Sequence, residues 1–370
     1  MNIGVPKEVK NHEYRVGLTP GGVHELTQHG HKVWVQSTAG EQIGFSDQDY
    51  LSAGAIISAV AEEVWENAEL IIKVKEPIPS EYLLIRAKHT LFTYLHLAAN
   101  ETLTDALLHT GCTAFAYETL KGSSGDLPLL APMSQVAGRM SIQAGAHCLE
   151  IAQGGRGVLL GGVPGVLPAK VVVLGGGVVG SNAAQMALGL GADTTIIDNS
   201  PTRLQALDEQ FNGRVKTLYS TKENIRSQVS NADLVIGAVL IPGAAAPKLV
   251  TQAHLQEMNN GSVIVDVAVD QGGCFETSKA TTHQDPTYVC EGVVHYCVAN
   301  MPGAVARTST LALTNATLPY IEKLAKHGSL PLIKTSAEFA SSLNTHAGNI
   351  YCSGVASAFQ RPLIPIDQLE

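Results

Sequence analysis

The chain has 370 residues, of which 45% are hydrophobic, 15% charged and 5% aromatic, and its formal net charge is −9. This apolar content is typical of a globular protein and excludes disorder, and the length predicts about two domains. An acidic chain of this kind offers no basic surface for nucleic acid or an anionic membrane. Because 36 residues are glycine, the composition favours buried parallel sheets joined by tight turns.

The sequence predicts neither a membrane span nor a secretory signal. The best candidate for a span, residues 157–180, contains Pro164, Pro168 and Lys170. Charged residues from Lys7 onward leave no apolar core for a signal peptide. The six cysteines are scattered and form no CxxC pair, so we expect reduced thiols and no metal site. These observations predict a cytoplasmic protein.

The first third of the chain alternates short apolar runs with helical segments. Strands are predicted at residues 2–5, 32–36, 70–75, 91–95 and 112–117. Helices are expected after Thr19-Pro20, after the capping-box spacing at Ser46, and after Asn100, with Gly111 ending the last of these. The runs at 70–75 and 91–95 lack polar alternation, which is typical of buried parallel strands.

A second α/β series follows a change of composition at residues 129–132. We predict a long helix over 133–153, a glycine-rich segment over 154–165, strands at 170–174, 194–197, 215–219, 233–236 and 262–267, and a helix over 308–325. This order predicts an α/β protein with two doubly wound parallel-sheet domains. Residues 131–302 would form one domain, inserted in a second domain made of residues 1–130 and 303–370.

The turn after the strand at 170–174 has the spacing of a dinucleotide-binding loop. Gly175, Gly177 and Gly180 fit G-x-G-x-x-G, a helical pattern follows, and Asp198 ends the next strand 18 residues after Gly180. The first glycine permits the turn, the second lets the backbone approach pyrophosphate, and the third lets helix and strand pack closely. Asp198 would accept hydrogen bonds from a ribose diol and repel a 2′-phosphate. The sequence therefore predicts a Rossmann-like domain that binds NAD in preference to NADP.

Ionisable residues end three of the predicted strands, where open α/β sheets bind their ligands. They are Lys75, His96 and Asp270. Lys73 lies on the same strand face as Lys75, because side chains alternate with a period of two, so spacing does not choose between the two lysines. Arg15, in the loop after the first strand, is suited to a bidentate grip on a carboxylate. Together these residues predict carbonyl and amine chemistry beside the dinucleotide.

Several segments resemble the L-alanine dehydrogenase family. They run in register along nearly the whole chain and are IGVPKE (3–8) with Arg15-Val16, KVKEP (73–77), TYLHLA (93–98), GGRG (154–157), GGVPG (161–165), VDVAVDQGG (265–273) and NMPGAV (300–305). The N-terminal and glycine-rich segments are shared with the NAD-binding subunit of proton-translocating transhydrogenase. The segments around Lys75 and His96 favour the dehydrogenase.

The resemblance implies roles for individual residues. Arg15 and Lys75 would bind the substrate, His96 would be the acid/base, and Asp270 would be a second catalytic acid/base near the nicotinamide. The implied cofactor contacts are Ser134, Gly175, Gly177, Val178, Val179, Gly180, Asp198, Arg203, Ser220, Val239, Leu240, Val267, Ala268, Val269, Asp270, Lys279, Val298, Ala299, Asn300 and Met301. At position 279 the family leads us to expect arginine in place of lysine.

The implied reaction is the reversible conversion of L-alanine, NAD⁺ and water to pyruvate, NADH, ammonium and a proton. Residues 131–302 would then bind NAD, and the other domain would bind the substrate. The resemblance also implies a homo-oligomer, commonly a hexamer. Two alternatives stay open at this point, namely a transhydrogenase-like NAD(H)-binding module for a membrane partner and a non-catalytic NAD-binding regulatory protein.

Overall fold

The computed structural model describes residues 1–239 and 246–369. The chain divides into two compact units. Unit 1 comprises residues 1–133 and 305–370, and unit 2 comprises residues 134–304. In sequence, unit 2 is therefore an insertion between the two segments of unit 1. Within the described ranges, no helix is both long and apolar enough to cross a membrane.

The N-terminal segment alternates strands and helices, as predicted. The strands are β1 (Asn2–Val5), β2 (Lys32–Gln36), β3 (Ile56–Ser58), β4 (Leu70–Ile72), β5 (Thr90–Thr93) and β6 (Thr113–Ala116). The helices are α1 (Pro20–Gln28), α2 (Asp47–Ser52), α3 (Ala61–Asn67), α4 (Pro79–Tyr82) and α5 (Glu101–Thr110). The predicted caps are present: the side chains of Thr19 and Asn100 accept the N–H groups of Gly22 and Leu103, at 3.2 and 3.1 Å.

The rest of the chain continues the same alternation. Its helices are α6 (Ala131–Cys148), α7 (Val178–Gly189), α8 (Pro201–Phe211), α9 (Lys222–Val229), α10 (Gln252–Gln256), α11 (Ala306–His327), α12 (Ser329–Thr335), α13 (Ala337–Ser342) and α14 (Ser353–Phe359). Its strands are β7 (Lys170–Leu174), β8 (Asp193–Asp198), β9 (Lys216–Tyr219), β10 (Leu234–Gly237), β11 (Val263–Asp266), β12 (Thr287–Cys290), β13 (Val293–Tyr296), β14 (Leu343–His346) and β15 (Asn349–Ile350).

Each unit contains one doubly wound sheet. In the described residues of unit 1, eight strands are ordered β15-β14-β6-β5-β4-β1-β2-β3, with antiparallel pairing only at β14 and β15. In those of unit 2, seven strands are ordered β12-β13-β11-β10-β7-β8-β9, and only β12 is antiparallel. The strand order reverses between β1 and β4 and between β7 and β10. These are the positions at which such sheets bind ligands, and the predicted fold class is confirmed.

The core of unit 2 explains why its strands lack polar alternation. Val171 and Val173 of β7 pack in one buried cluster with residues of α7. Val172 and Leu174 of the same strand pack in a second cluster with residues of α9. Because the strand is buried on both faces from Val171 to Leu174, all four of these positions are apolar.

Candidate functional site

The glycine turn of unit 2 lies between β7 and α7. Gly175 has a φ of +96°, in the left-handed region that glycine adopts without strain. A Cβ on Gly177 would meet no heavy atom within 4 Å, so there is open space against this backbone. A Cβ on Gly180 would lie 1.8 Å from the carbonyl oxygen of Gly175, so only glycine lets α7 pack this closely on the turn. The three glycines therefore have the backbone features of the G-x-G-x-x-G turn: a positive φ, an open backbone and a close helix contact.

The carboxylate of Asp198, at the end of β8, is hydrogen-bonded to the glycine turn. Its Oδ2 accepts the N–H of Gly176 at 2.7 Å, and its Oδ1 accepts the N–H of Ser200 at 2.9 Å. A carboxylate has about four acceptor positions, so two remain for a ribose diol. Arg203 lies against the same turn, since its Nε donates to the carbonyl oxygen of Gly176 at 2.6 Å. The structure therefore brings the turn, Asp198 and Arg203 together.

Most of the other predicted cofactor residues of unit 2 follow the carboxyl ends of strands. Ser220 follows β9, and its N–H donates to the carbonyl oxygen of Asp198 at 3.0 Å. Val239 follows β10, and Leu240 lies outside the described residues. Val178 and Val179 form the first turn of α7, while Val298, Ala299, Asn300 and Met301 follow β13, and Val267 to Asp270 follow β11. Ser134 lies on α6, and Lys279 is exposed in the segment between β11 and β12.

A buried carboxylate shapes the loop that carries Asp270. Asp266, the last residue of β11, accepts the N–H groups of Ala268 at 3.0 Å and Cys274 at 2.9 Å, and also the hydroxyl of Ser278. Burial raises the pKa of Asp266, and these hydrogen bonds oppose the rise. Asp270 itself is exposed in a short 3-10 helix, Val269–Gln271. The sequence analysis did not identify Asp266 as part of this arrangement.

Arg15 is buried in the loop between β1 and α1, where it is 2% exposed. Its Nε and Nη2 donate to the two carboxylate oxygens of Glu13 at 2.6 and 2.5 Å, and its Nη1 lies 3.2 Å from Met133 Sδ. Burial opposes the charge on the guanidinium, but Glu13 outweighs burial and raises the pKa of Arg15. Glu13 thus occupies one bidentate edge of the guanidinium.

The structure separates Lys73 from Lys75. Lys73 is 1% exposed, and its Nζ lies 3.1 Å from Glu8 Oε2 and 2.9 Å from Glu81 Oε1. Burial lowers the pKa of Lys73, but the two carboxylates outweigh it and the net change is a rise. Lys75 is partly exposed, and its N–H donates to Glu8 Oε1 at 3.3 Å. Lys73 therefore forms a buried ion pair with Glu8 and Glu81, whereas Lys75 is partly exposed.

His96 has a backbone conformation that is uncommon outside glycine. Its φ is 50° and its ψ is 35°, a left-handed conformation that costs about 1 to 2 kcal/mol. Glu118 stabilises it, because Glu118 Oε1 accepts the N–H of His96 at 2.6 Å and that of Leu95 at 3.2 Å. The imidazole stacks on the ring of Tyr94, with centroids 5.9 Å apart, and its side chain is 46% exposed.

A carboxylate that accepts backbone N–H groups lies just past the end of three strands, and all three strands are shorter than predicted. Glu8, Glu118 and Asp266 each accept N–H groups just beyond a strand, which ends the regular pairing and turns the chain. β4, β5 and β11 therefore end at Ile72, Thr93 and Asp266. Lys75, His96 and Asp270 were predicted at strand ends, but they lie three, three and four residues past them.

The three candidate residues of unit 1 are connected through shared neighbours. Arg15 interacts electrostatically with Tyr94, whose ring stacks on His96. Glu76, the residue after Lys75, lies 3.4 Å from His96 Nδ1. Arg15, Lys75 and His96 follow the carboxyl ends of β1, β4 and β5, which are neighbours in the sheet. Such a set suits a small substrate with a carboxylate and a carbonyl oxygen.

Comparisons with known proteins show which family the chain resembles. Residues 4–137 match the family described as alanine dehydrogenase/PNT, N-terminal domain, and residues 141–353 match its C-terminal domain. An alanine dehydrogenase of Halomonas elongata is 61% identical over 359 residues, which are 97% of each chain. A solved L-alanine dehydrogenase superposes with a TM-score of 0.94 at 54% identity, over 97% of this chain and 99% of the other. A transhydrogenase from Sinorhizobium meliloti superposes with a TM-score of 0.83 at 25% identity, over 95% and 100%.

Proposed function

The chain belongs to the alanine dehydrogenase/PNT family, and we propose that it catalyses the reversible NAD-dependent oxidative deamination of L-alanine to pyruvate and ammonium. The observation that carries this proposal is the 61% identity to an alanine dehydrogenase over 97% of both chains. The alternative of a transhydrogenase-like NAD(H)-binding module has weaker support, because the identity to the transhydrogenase is 25%. In this proposal the dinucleotide belongs to unit 2, and the substrate contacts of unit 1 are Arg15 and Lys75.

The residues of unit 2 fit a dinucleotide of the NAD type. The backbone of Gly177, the N-cap of α7, is open to a pyrophosphate. The first N–H groups of α7 are directed to this N-terminal end of the helix, where they can bind an anion. Asp198 has acceptor positions left for a ribose diol, and its negative charge would repel the 2′-phosphate of NADP. Arg203 is a cation beside the same turn. We nevertheless expect Asp198, and not Arg203, to determine the preference for NAD over NADP, because a ribose diol needs the acceptors that a carboxylate supplies.

The residues of unit 1 would bind the substrate and move its protons. When NAD is bound, its nicotinamide ring accepts the hydride of the substrate α-carbon. Arg15 holds the substrate carboxylate, and Lys75 stabilises the negative charge that develops on the carbonyl oxygen. His96 transfers protons to and from this oxygen as water adds to the iminium and as the carbinolamine collapses to pyruvate. Asp270 is a second acid/base in the proposal, and its share of the proton transfer stays a prediction.

The proposed function is tested by NADH formation across a panel of amino and hydroxy acids. L-alanine should be the preferred substrate. One methylene changes binding in an apolar pocket by about 1–3 kcal/mol, so 2-aminobutyrate should react roughly 10- to 200-fold less efficiently. Lactate should be rejected more firmly, because a hydroxy acid leaves the groups that handle the amine without their partner. Preferred oxidation of lactate would overturn the assignment to amino acids.

The same panel separates the alternatives. NAD(H) binding without turnover of any amino acid would favour a transhydrogenase-like or a regulatory protein. The homohexamer implied by the family resemblance stays a prediction, and light scattering of the purified protein measures it.

A further inference from the structure

A carboxylate with an unused oxygen faces the ring of His96. Glu76 Oε1 is paired with Lys10 Nζ at 2.5 Å. Glu76 Oε2 is buried, and within residues 1–239 and 246–369 it has no hydrogen-bond partner. This oxygen lies 3.4 Å from His96 Nδ1, which is slightly too far for a hydrogen bond of normal length. A buried carboxylate oxygen without a hydrogen bond is costly, so the pair is stabilised if the ring moves a few tenths of an ångström toward it.

The backbone of His96 is held, but its ring is held less firmly. Glu118 fixes the main-chain N–H, and Tyr94 supports one face of the imidazole. Neither contact decides which ring nitrogen carries the proton. Glu76 can decide it, because a carboxylate at Nδ1 accepts a hydrogen bond and so favours the tautomer with hydrogen on Nδ1. The remaining nitrogen, Nε2, is then the one that exchanges a proton with a ligand.

We propose that Glu76 is a positioning residue for His96, accepting the Nδ1–H hydrogen bond during the reaction and favouring the protonated ring. The assignment of His96 as the acid/base rests on the proposed function, whereas the pairing itself does not. A carboxylate that orients a histidine through its second nitrogen is a common arrangement in enzymes. Glu76 is suited to this position because it directly follows Lys75 in the chain. It thus links the backbone that carries Lys75 to the ring of His96.

The charges around this pair support an ionised Glu76. Burial raises the pKa of Glu76, but its interaction with His96, the charge of Lys75 and the pairing with Lys10 outweigh burial, so the net pKa lies well below the usual range. Other titratable groups near the pair are Tyr94, which stacks on His96, Tyr82, which interacts electrostatically with Glu76, and Glu118, which accepts the backbone N–H of His96. Glu76 therefore remains a carboxylate throughout the pH range in which a histidine titrates.

The pairing is tested without reference to activity by acylation of histidine with diethyl pyrocarbonate. This reagent attacks the neutral imidazole, and peptide mass spectrometry measures the reaction of each histidine as a function of pH. The pH at which His96 reaches half of its maximal reaction rate should be lower in Glu76→Gln than in the unmodified protein, because the neutral amide attracts the protonated ring less than the carboxylate does. His109, exposed on α5, is the internal control and should not change.

Two matched variants separate a positioning role from a structural one. Glu76→Asp keeps the charge and should restore the half-reaction pH toward that of the unmodified protein. Lys10→Met removes the other cation bound to Glu76 and should not lower that pH. In turnover of L-alanine, Glu76→Gln should lower kcat about 10- to 100-fold, with the acid limb of the pH–rate profile moved to lower pH and the affinity for NADH unchanged.

The possible results bear on the two proposals separately. If the unmodified protein forms no NADH from alanine, the proposed function fails, but the acylation experiment still tests the pairing. An unchanged half-reaction pH in Glu76→Gln, in a protein whose circular dichroism is unchanged, would overturn the role of Glu76 and leave the proposed function standing. An equal loss of kcat in Lys10→Met and Glu76→Gln would also overturn it, because the ion pair with Lys10 would then be the important contact.

Discussion

Alanine substitutions in the glycine turn separate dinucleotide binding from folding. A Cβ on Gly177 would meet nothing within 4 Å, and the φ of −66° at this position is compatible with alanine. Gly177→Ala should therefore leave the melting temperature near that of the unmodified protein. The added methyl group would stand where the pyrophosphate approaches the backbone. A loss of one charge-assisted hydrogen bond is worth about 1.5–3 kcal/mol, so the affinity for NADH should fall roughly 10- to 150-fold.

Gly180→Ala, in contrast, should lower the melting temperature. Its Cβ would lie 1.8 Å from the carbonyl oxygen of Gly175, and contacts under 3.0 Å are essentially never seen for real Cβ atoms. The start of α7 would have to move away from the turn by about 1 Å or more, and such overpacking costs about 3 kcal/mol. For a unit of this size, that corresponds to a decrease of roughly 6–12 °C in the melting temperature.

Two measurements on the same samples check this reasoning. Fluorescence titration gives the dissociation constant of NADH, and calorimetry gives the melting temperature without ligand. Gly189, at the other end of α7, is the matched control, because a Cβ there also meets nothing within 4 Å and Gly189→Ala should change neither quantity adversely. Wild-type affinity in Gly177→Ala would refute the assignment of the turn to pyrophosphate.

The remaining predictions concern charge and proton transfer. Asp198→Ala should narrow the preference for NAD over NADP, measured as the ratio of kcat/KM values, and equal use of both cofactors by the unmodified protein would place the ribose elsewhere. His96→Ala should lower kcat by about two to four orders of magnitude at unchanged NADH affinity. Replacing Arg15 should mainly raise KM for pyruvate, whereas Lys75→Ala should mainly lower kcat, and identical kinetic patterns would contradict this division. Burial lowers the pKa of His89 to about 4, below the value of about 6.5 in an unfolded chain. The unfolded protein therefore binds the extra proton, and the free energy of unfolding should fall by about 3 kcal/mol as the pH drops from about 7 to 4. Denaturant titrations should show a smaller fall in His89→Phe.

The alternation of strands and helices along the chain and several helix starts follow from local signals in the sequence. Ser46 illustrates this. The N-cap and its partner Asp49 lie within one helical turn of each other, and the capping box forms as expected. Two hairpins escaped detection for a physical reason. Both turn through two residues with positive φ, Glu291-Gly292 and Ala347-Gly348. Such turns are recognised in a sequence by Asn-Gly or Asp-Gly, and neither hairpin has an asparagine or aspartate there.

The carboxylates around the candidate site were missed because their partners are distant in sequence and near only across the sheet. Glu8 and Lys73 are 65 positions apart, and Glu118 and His96 are 22 apart. Each pair, however, joins neighbouring strands: β1 lies beside β4, and β5 beside β6. Glu8 and Glu118 both follow the end of their own strand within three residues, which is where a side chain can reach the N–H groups that end the next strand. Strand order within the sheet is therefore the missing information. Once the order is known, an acidic residue just past the end of one strand predicts a turn just past the end of the neighbouring strand. The reactive residue is expected in that turn.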